Sequence, residues 1–491
     1  MPVSWCRLGM TRLVAKLAHP GHGESVRKVV AMIDSGESPG LGGRMVKAAL
    51  WLVGSNVSSQ ALRLISSLVL TRLLMPDAFG LMTAMSTLYF GLVMFSDMGI
   101  WQSVVKSDQG TEARFLGTAW AVQLIRAMIL VVLVCLMGFG VHILSQSHWI
   151  QVSSVYADPR MPWMMASFAV CAVLQGLESM KLATAQRNLH GKYLARLEFL
   201  SQLAAMLTTI GLTWWTSSVW SLMVGAMVNG MTRTLLSHFY LPGKNVRPCW
   251  DKGHAAEIIG FGKWIFLSSI IGFLAANIEK LILAALLSAT SFGLYSIAST
   301  LLAAVVGIYS SLNGHVVFPS LSQALRSHRD DMVRIYGRVQ RIVDVLLGGL
   351  SGALIMAGQW AVWVLYDPRY EQAGWMLQTL GWGLLALRYQ VVEQLMFANN
   401  QPAWVSANNA LRALGLVITV PAGFALAGER GALLAVVGCQ FASWPLSLVF
   451  KWREGLLGRA SERWWLPAVL AGLLLGWGVD RLFLAIWPGH A

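Results

Sequence analysis

The chain has little charge. Only 12% of its 491 residues are Asp, Glu, Lys or Arg, whereas 56% are hydrophobic. A soluble domain carries about 25% charged residues, so half that value excludes an ordinary solvated globule and reads as a polytopic membrane protein. Cysteine is scarce as well. Cys6, Cys135, Cys171, Cys249 and Cys439 are odd in number, scattered, and form no C-x-x-C. That excludes a disulfide framework and a thiolate metal site, and leaves small packing residues. H-E-x-x-H and the P-loop are missing, so no metal, cofactor or ATP site is expected and the chain does not read as an enzyme. Movement of a cargo would then draw on an ion gradient, the membrane potential or the cargo's own gradient.

What is present is a succession of long apolar runs. A bilayer core of about 30 Å needs about 20 helical residues. Runs of that kind lie at 48–71, 80–105, 114–143, 161–186, 194–214, 217–238, 258–286, 291–317, 340–366, 371–398, 404–427 and 430–450, with a thirteenth at 464–487. Tryptophan is abundant near their ends, where interfacial belts sit. Residues 1–47 differ: Gly, Pro and charge interrupt any long helix, and no apolar stretch follows the charged start. They read as a basic cytoplasmic extension rather than a cleavable signal.

The net charge of +14 would point to nucleic acid in a soluble protein. Its distribution says otherwise. With the N-terminus inside, the outer loops hold only Arg72, Arg160, Arg369 and Arg430. The inner loops hold Lys106, Arg114, Arg187, Lys192, Arg196, Lys244, Arg247, Lys252, Arg326 to Arg341, and Lys451 to Arg463, besides the basic tail. This is the positive-inside asymmetry; it predicts a cytoplasmic N-terminus and removes the support for a nucleic-acid partner.

The chain also repeats itself. LTRLLMPDAFGLMTAMSTL (Leu70 to Leu88) returns as LAALLSATSFGLYSIASTL (Leu283 to Leu301), with nine of nineteen positions identical. YADPR (Tyr156 to Arg160) returns as YDPR (Tyr366 to Arg369), and Trp51 corresponds to Trp264. Shifting the first six runs by 213 residues lands on runs seven to twelve. Six is even, so both halves enter from the same side, as parallel repeats related by an axis along the membrane normal. The expected organisation is a 1–47 extension, a first lobe at 48–240, a second at 257–453, and an extra hydrophobic helix at 462–488 whose path is open.

Taken together, LTRLLMPDAFGL, the SDMG closing the second run, and GFGKWIF leading through NIEKLILAALLSATSFGLYSIAST in the seventh resemble the polysaccharide transporter family. These are the O-antigen and exopolysaccharide flippases of the multidrug/oligosaccharidyl-lipid/polysaccharide superfamily. The resemblance covers about 48–453. It implies two six-helix lobes rocking around a central cavity, in the bacterial inner membrane. It implies movement of undecaprenyl-diphosphate-linked oligosaccharide between leaflets, with membrane lipids and the polysaccharide polymerase or export machinery as further partners. The Asp-Arg usual in the family's seventh helix stands here as Glu279–Lys280.

A diphosphate cargo calls for cations inside the membrane, where charge is costly and usually faces a cavity. Arg63 lies fifteen residues into the first run, roughly 22 Å from its inner end. Asn56, Ser59, Gln60, Arg63 and Ser67 follow 3–4 spacing and make one polar stripe. Arg126 in the third run and Arg388 in the tenth lack a local acid at i±3 or i±4. For Arg388 the competing reading is an ion pair between helices, with Glu393 poorly placed at i+5. Glu178 and Lys181 are three apart and suited to a local pair. Lys181 otherwise joins Arg63, Arg126, Arg388, Asn56 and Gln60 as a candidate for the cargo cavity. Glu178, Glu279, Lys280 and Glu393 are candidates for ion coupling or a charge pair between lobes. Lys280 suits snorkelling equally well, and Asp97 and Arg412 suit snorkelling or packing. Pro421 and Pro445 would kink the eleventh and twelfth runs. The alternative function is an ion-coupled multidrug or cation antiporter of the same superfamily. A buried acid in a lobe would favour it; a mid-membrane cation favours an anionic cargo.

Overall fold

The structure is a computed structural model and describes residues 54, 58–146, 154–243, 245–327, 329–457 and 462–486. The 1–47 extension, Trp51 and Asn56 lie outside them. The described regular structure is helical throughout. In the first half it comprises α1 (58–70), α2 (Pro76–Phe95), α3 (Ile100–Lys106), α4 (Ala113–Gln146), α5 (Met161–Gly176), α6 (Lys181–Arg187), α7 (Gly191–Thr216) and α8 (Trp220–Phe239). The second half holds α9 (Lys252–Leu286), α10 (Ala289–Leu312), α11 (Phe318–Ser327), α12 (Arg329–Leu365), α13 (Ala373–Gly381), α14 (Gly383–Ala386), α15 (Gln390–Ala398), α16 (Pro402–Gln440), α17 (Trp444–Arg453) and α18 (Trp465–Ile486).

Among the described residues seven helices are long and apolar enough to cross a membrane, or eight if the bent pair α5–α6 counts as one. The sequence shows thirteen runs, and the difference has visible sources. α16 continues into α17 as one 52-residue stretch, Pro402–Arg453. Its two arms are folded at Ala427 and Gly428, where Gly428 takes φ +59, the left-handed region open to glycine. The tenth run is cut into α13, α14 and α15.

The two copies of the repeated hairpin start their second helix differently. In the first, Pro76 occupies the opening turn, where its missing N–H is no loss, and Asp77 faces the positive end of the helix dipole. In the second, Ser288 accepts the Ser291 N–H as a side-chain cap. The proline and charge of one copy and the serines of the other solve the same problem.

The shared glycine serves the partner half. A Cβ on Gly80 would strike the Ala289 carbonyl, and one on Gly293 would strike the Pro76 carbonyl. α2 and α10 thus cross with their backbones in contact at their N-terminal ends. α2 continues along the other half through Gly91 against Phe273, and Met98 just beyond its end meets Gly262.

The fourth and tenth runs break at corresponding places, after Gly176 and at Leu387–Tyr389. Each break frees carbonyls that lipid cannot satisfy. Gln123 Nε2 donates to the carbonyls of Gln175, Gly176 and Glu178. In the second half Tyr309 donates to Leu387 O and Gln340 to Arg388 O.

The thirteenth run resolves as α18, packed lengthwise on α12. Gly348 meets Ala468, Gly352 meets Gly472, Gly476 meets Met356, and Trp360 Nε1 donates to Asp480 at 2.7 Å. These pairs ascend together, so α18 runs parallel to α12. Small residues at four-residue spacing allow that approach, as helices in lipid require.

Candidate functional site

The polar stripe of α1 faces the other half. The Gln60 amide lies against Gly307 of α10, and Ser67 Oγ lies 3.4 Å from the Tyr366 hydroxyl. Arg63 stands between them, one turn from each. It is exposed and has no hydrogen-bond or ion-pair partner among the described residues. Its counterpart in the repeat, Ala276, lines a cavity of the second half.

Arg126 is half-buried and bonded. Its guanidinium donates to Val93 O at 2.9 Å and to Ser96 Oγ at 3.2 Å, and lies 3.9 Å from Asp97. These groups close the C-terminal end of α2, the negative end of its dipole. Asp97 also accepts the Gly99 N–H, so it packs rather than snorkels. Arg126 nevertheless lines two cavities of the first half. One, of 530 Å³, is edged by Asp97, Gln102, Lys106 and Gln186. The other, of 380 Å³, lies between α4, α5 and α8 and ends at Glu178 and Arg233.

The local Glu178–Lys181 pair does not form. The α5–α6 bend of 60° separates the two residues. Glu178 instead accepts from Arg233 Nε at 2.8 Å, and Lys181 Nζ donates to His238 O at 2.8 Å. Arg233, which the sequence reading passed over, also holds Glu198 at 2.6 Å. Its signal was the one used for Arg126: a cation within an apolar run with no acid at helical spacing.

Arg388 is no cavity cation. It is 2% exposed and donates to both oxygens of Asp344, at 2.9 and 2.8 Å, and to Glu462 at 2.9 Å. Glu462 also binds Lys451, and Tyr336, Tyr389, Trp444 and Trp465 surround the group. Two cations thus face two acids in a neutral, packed cluster. Asp344, Lys451 and Glu462 were not singled out in the sequence because Asp344 lies in the ninth run while Lys451 and Glu462 lie in the loop before the thirteenth, all far from Arg388 along the chain.

The second half has a cavity of 360 Å³ lined by Glu279, Lys280, Tyr295, Gln390, Arg412 and Gln440, with Thr83 of α2 at its edge. Glu279 accepts from Tyr295 at 3.3 Å and from Gln440 at 3.4 Å. Arg412 Nε is buried without a partner among the described residues, so Arg412 belongs to this cavity rather than to the membrane surface. Glu393 feels the charge of Arg412.

Comparison with known proteins agrees with this architecture. Over most of its length the fold matches two solved transporters. One is the inward closed conformation of the lipid II flippase MurJ (TM-score 0.64, 12% identity, 87% of this chain and 97% of that one). The other is an inward-facing multidrug resistance MATE family transporter (0.60, 11%, 83% and 98%). In sequence the chain is 21% identical over 438 residues to the lipopolysaccharide biosynthesis protein WzxC of Escherichia coli K12, covering 87% of this chain and 85% of that one. It is 21% identical over 306 residues to an uncharacterized membrane protein in the cps region of Klebsiella pneumoniae, of which it spans 60%. The polysaccharide biosynthesis protein family model matches residues 69–374. This all-helical, multi-pass membrane chain belongs to the polysaccharide biosynthesis protein family.

Proposed function

We propose that the chain is a flippase that moves undecaprenyl-diphosphate-linked oligosaccharide units across the bacterial inner membrane for exopolysaccharide, O-antigen or capsule assembly. It works by alternating access between two six-helix lobes, with the N-terminus cytoplasmic, and α18 accompanies the second lobe. The observation that carries the reading is Arg63: a guanidinium on the stripe facing the other half, with no partner among the described residues. An unpaired intramembrane cation calls for an anion, and a diphosphate supplies one. Arg126 and Arg233 line a cavity of the first half, where Gln123, Gln175 and Asn229 offer hydrogen bonds for sugars. The apolar tail stays in lipid. The product passes to polymerase or export machinery.

A cation antiporter is favoured by one observation, the acid Glu279 inside the second half. Lys280 and Arg412 line the same cavity, so cations outnumber that acid there, and Glu279 is better suited to ion coupling for an outgoing anion.

In a deletion strain the lipid-linked repeat unit should accumulate on the cytoplasmic leaflet. Arg63→Ala should leave at most about a tenth of polymer export, the loss of one charge-assisted contact. Full export by Arg63→Ala at normal expression would remove the cationic-cavity reading.

A further inference from the structure

The repeated Tyr-Asp-Pro-Arg segments meet at the end of the molecule that carries the two hairpins, and each reaches into the opposite half. In the first copy the Val155 N–H donates to Leu287 O at 3.2 Å and the Tyr156 hydroxyl to Leu281 O at 3.4 Å. In the second copy the Tyr370 hydroxyl donates to Leu74 O at 2.9 Å, and Tyr366 meets Ser67. Leu74 and Leu287 are equivalent positions of the repeated hairpin. The two receiving carbonyls are therefore related by the internal repeat, although their donors differ, and they flank the Gly80–Gly293 helix crossing.

The arginines break that symmetry. Each is first held by its own aspartate, Arg160 by Asp158 at 2.9 Å and Arg369 by Asp367 at 2.7 Å. Arg160 then donates to Asp77 at 2.8 Å, within its own half. The position equivalent to Asp77 is Thr290, so no acid retains Arg369 at home. It donates across the divide to Arg72 O at 2.9 Å and Thr71 O at 3.4 Å.

We propose that the two segments are reciprocal clasps that hold this face shut, and that they are unequal: the Arg369–Tyr370 clasp is the stronger and releases last, because Asp77 keeps Arg160 out of the other. A guanidinium bound to carbonyls is a charge-assisted contact and outweighs a neutral hydroxyl bond about twofold. Opening this face must break the Arg369 and Tyr370 bonds, whereas the Arg160–Asp77 pair can ride intact on its own half.

The test does not depend on cargo or on orientation in the membrane. Spin labels are placed at Thr216→Cys and Gln372→Cys, both exposed and on opposite halves, in the full chain with its native cysteines replaced by alanine. Interlabel distances are measured by pulsed electron resonance in lipid nanodiscs. The ratio of long to short distances should rise about tenfold in Arg369→Gln, the loss of a charge-assisted bond. It should rise about threefold in Tyr370→Phe, which removes only a hydroxyl, and stay within about twofold of the parent in Arg160→Gln. Unchanged distances in the first two variants would overturn the clasp. A rise in Arg160→Gln equal to that in Arg369→Gln would overturn the asymmetry. Should Arg369→Gln fail to fold, the isosteric Tyr370→Phe decides.

Discussion

Arginines inside the membrane segments fall into two kinds, and their surroundings decide which. Arg126 keeps two hydrogen bonds to the end of α2 and a more distant carboxylate, yet borders open cavities. Arg126→Lys preserves the charge but cannot reproduce a planar fork that reaches Val93 O and Ser96 together. Export by Arg126→Lys should fall severalfold with protein level retained, whereas Arg126→Ala should reduce both; immunoblots beside polymer yield separate the two. Arg388 is the other kind. Its removal leaves Asp344 buried and charged, at a cost of about 3–5 kcal/mol. Arg388→Ala should therefore lower the thermal midpoint of the purified protein, and Asp344→Asn in the same chain should recover part of the loss. The sequence revealed that each of these cations lacks a helical neighbour to neutralise it. It could not reveal which run supplies the missing acid, because Asp344 and Glu462 lie 44 and 74 residues from Arg388 along the chain. Arg63 and Arg388 look alike as letters and differ only through tertiary contact.

Element-level features were more legible. The fold at Ala427–Gly428 falls where the sequence separates runs eleven and twelve. The shared Phe-Gly-Leu of the hairpin is plain in both copies. What the letters did not show is that Gly80 and Gly293 admit each other's half rather than tightening their own turn. Gly293→Leu forces a side chain into the Pro76 carbonyl, where backbone cannot yield cheaply. Overpacking of this kind costs about 1–3 kcal/mol and acts on the closed hairpin face. The same label pair at Thr216 and Gln372 should report a shift toward long distances in Gly293→Leu, and no shift in Gly314→Leu, where open space surrounds the glycine.

At the scale of the whole molecule the internal repeat relates the two hairpins and the two broken runs, and α18 has no counterpart in it. The sequence left its path open because periodicity gives a helix but not a neighbour. The structure binds it at both ends by different physics. Near Asp480 the tie is a hydrogen bond from Trp360 and a stack of Phe483 on Trp360. Near its start the tie is Glu462, whose carboxylate neutralises the buried pair Arg388 and Lys451 jointly with Asp344. Replacing Glu462 with Gln leaves two buried cations facing one acid. Glu462 is only partly buried, at 26% exposure, so the cost falls at the low end of the range for a broken buried pair, about 3 kcal/mol. Asp480→Asn keeps an acceptor for Trp360 and removes no buried charge balance, so its cost stays within about 1 kcal/mol. The ordering of thermal midpoints should be parent, then Asp480→Asn, then Glu462→Gln. Adding Lys451→Met to Glu462→Gln restores one acid to one cation inside the aromatic cage and should raise the midpoint again. A double variant less stable than Glu462→Gln alone would show that Lys451 is held by packing against Tyr336 and Tyr389 rather than by charge. In that case α18 is attached to the second half through its glycine face on α12, and the cluster only fills the space beneath it.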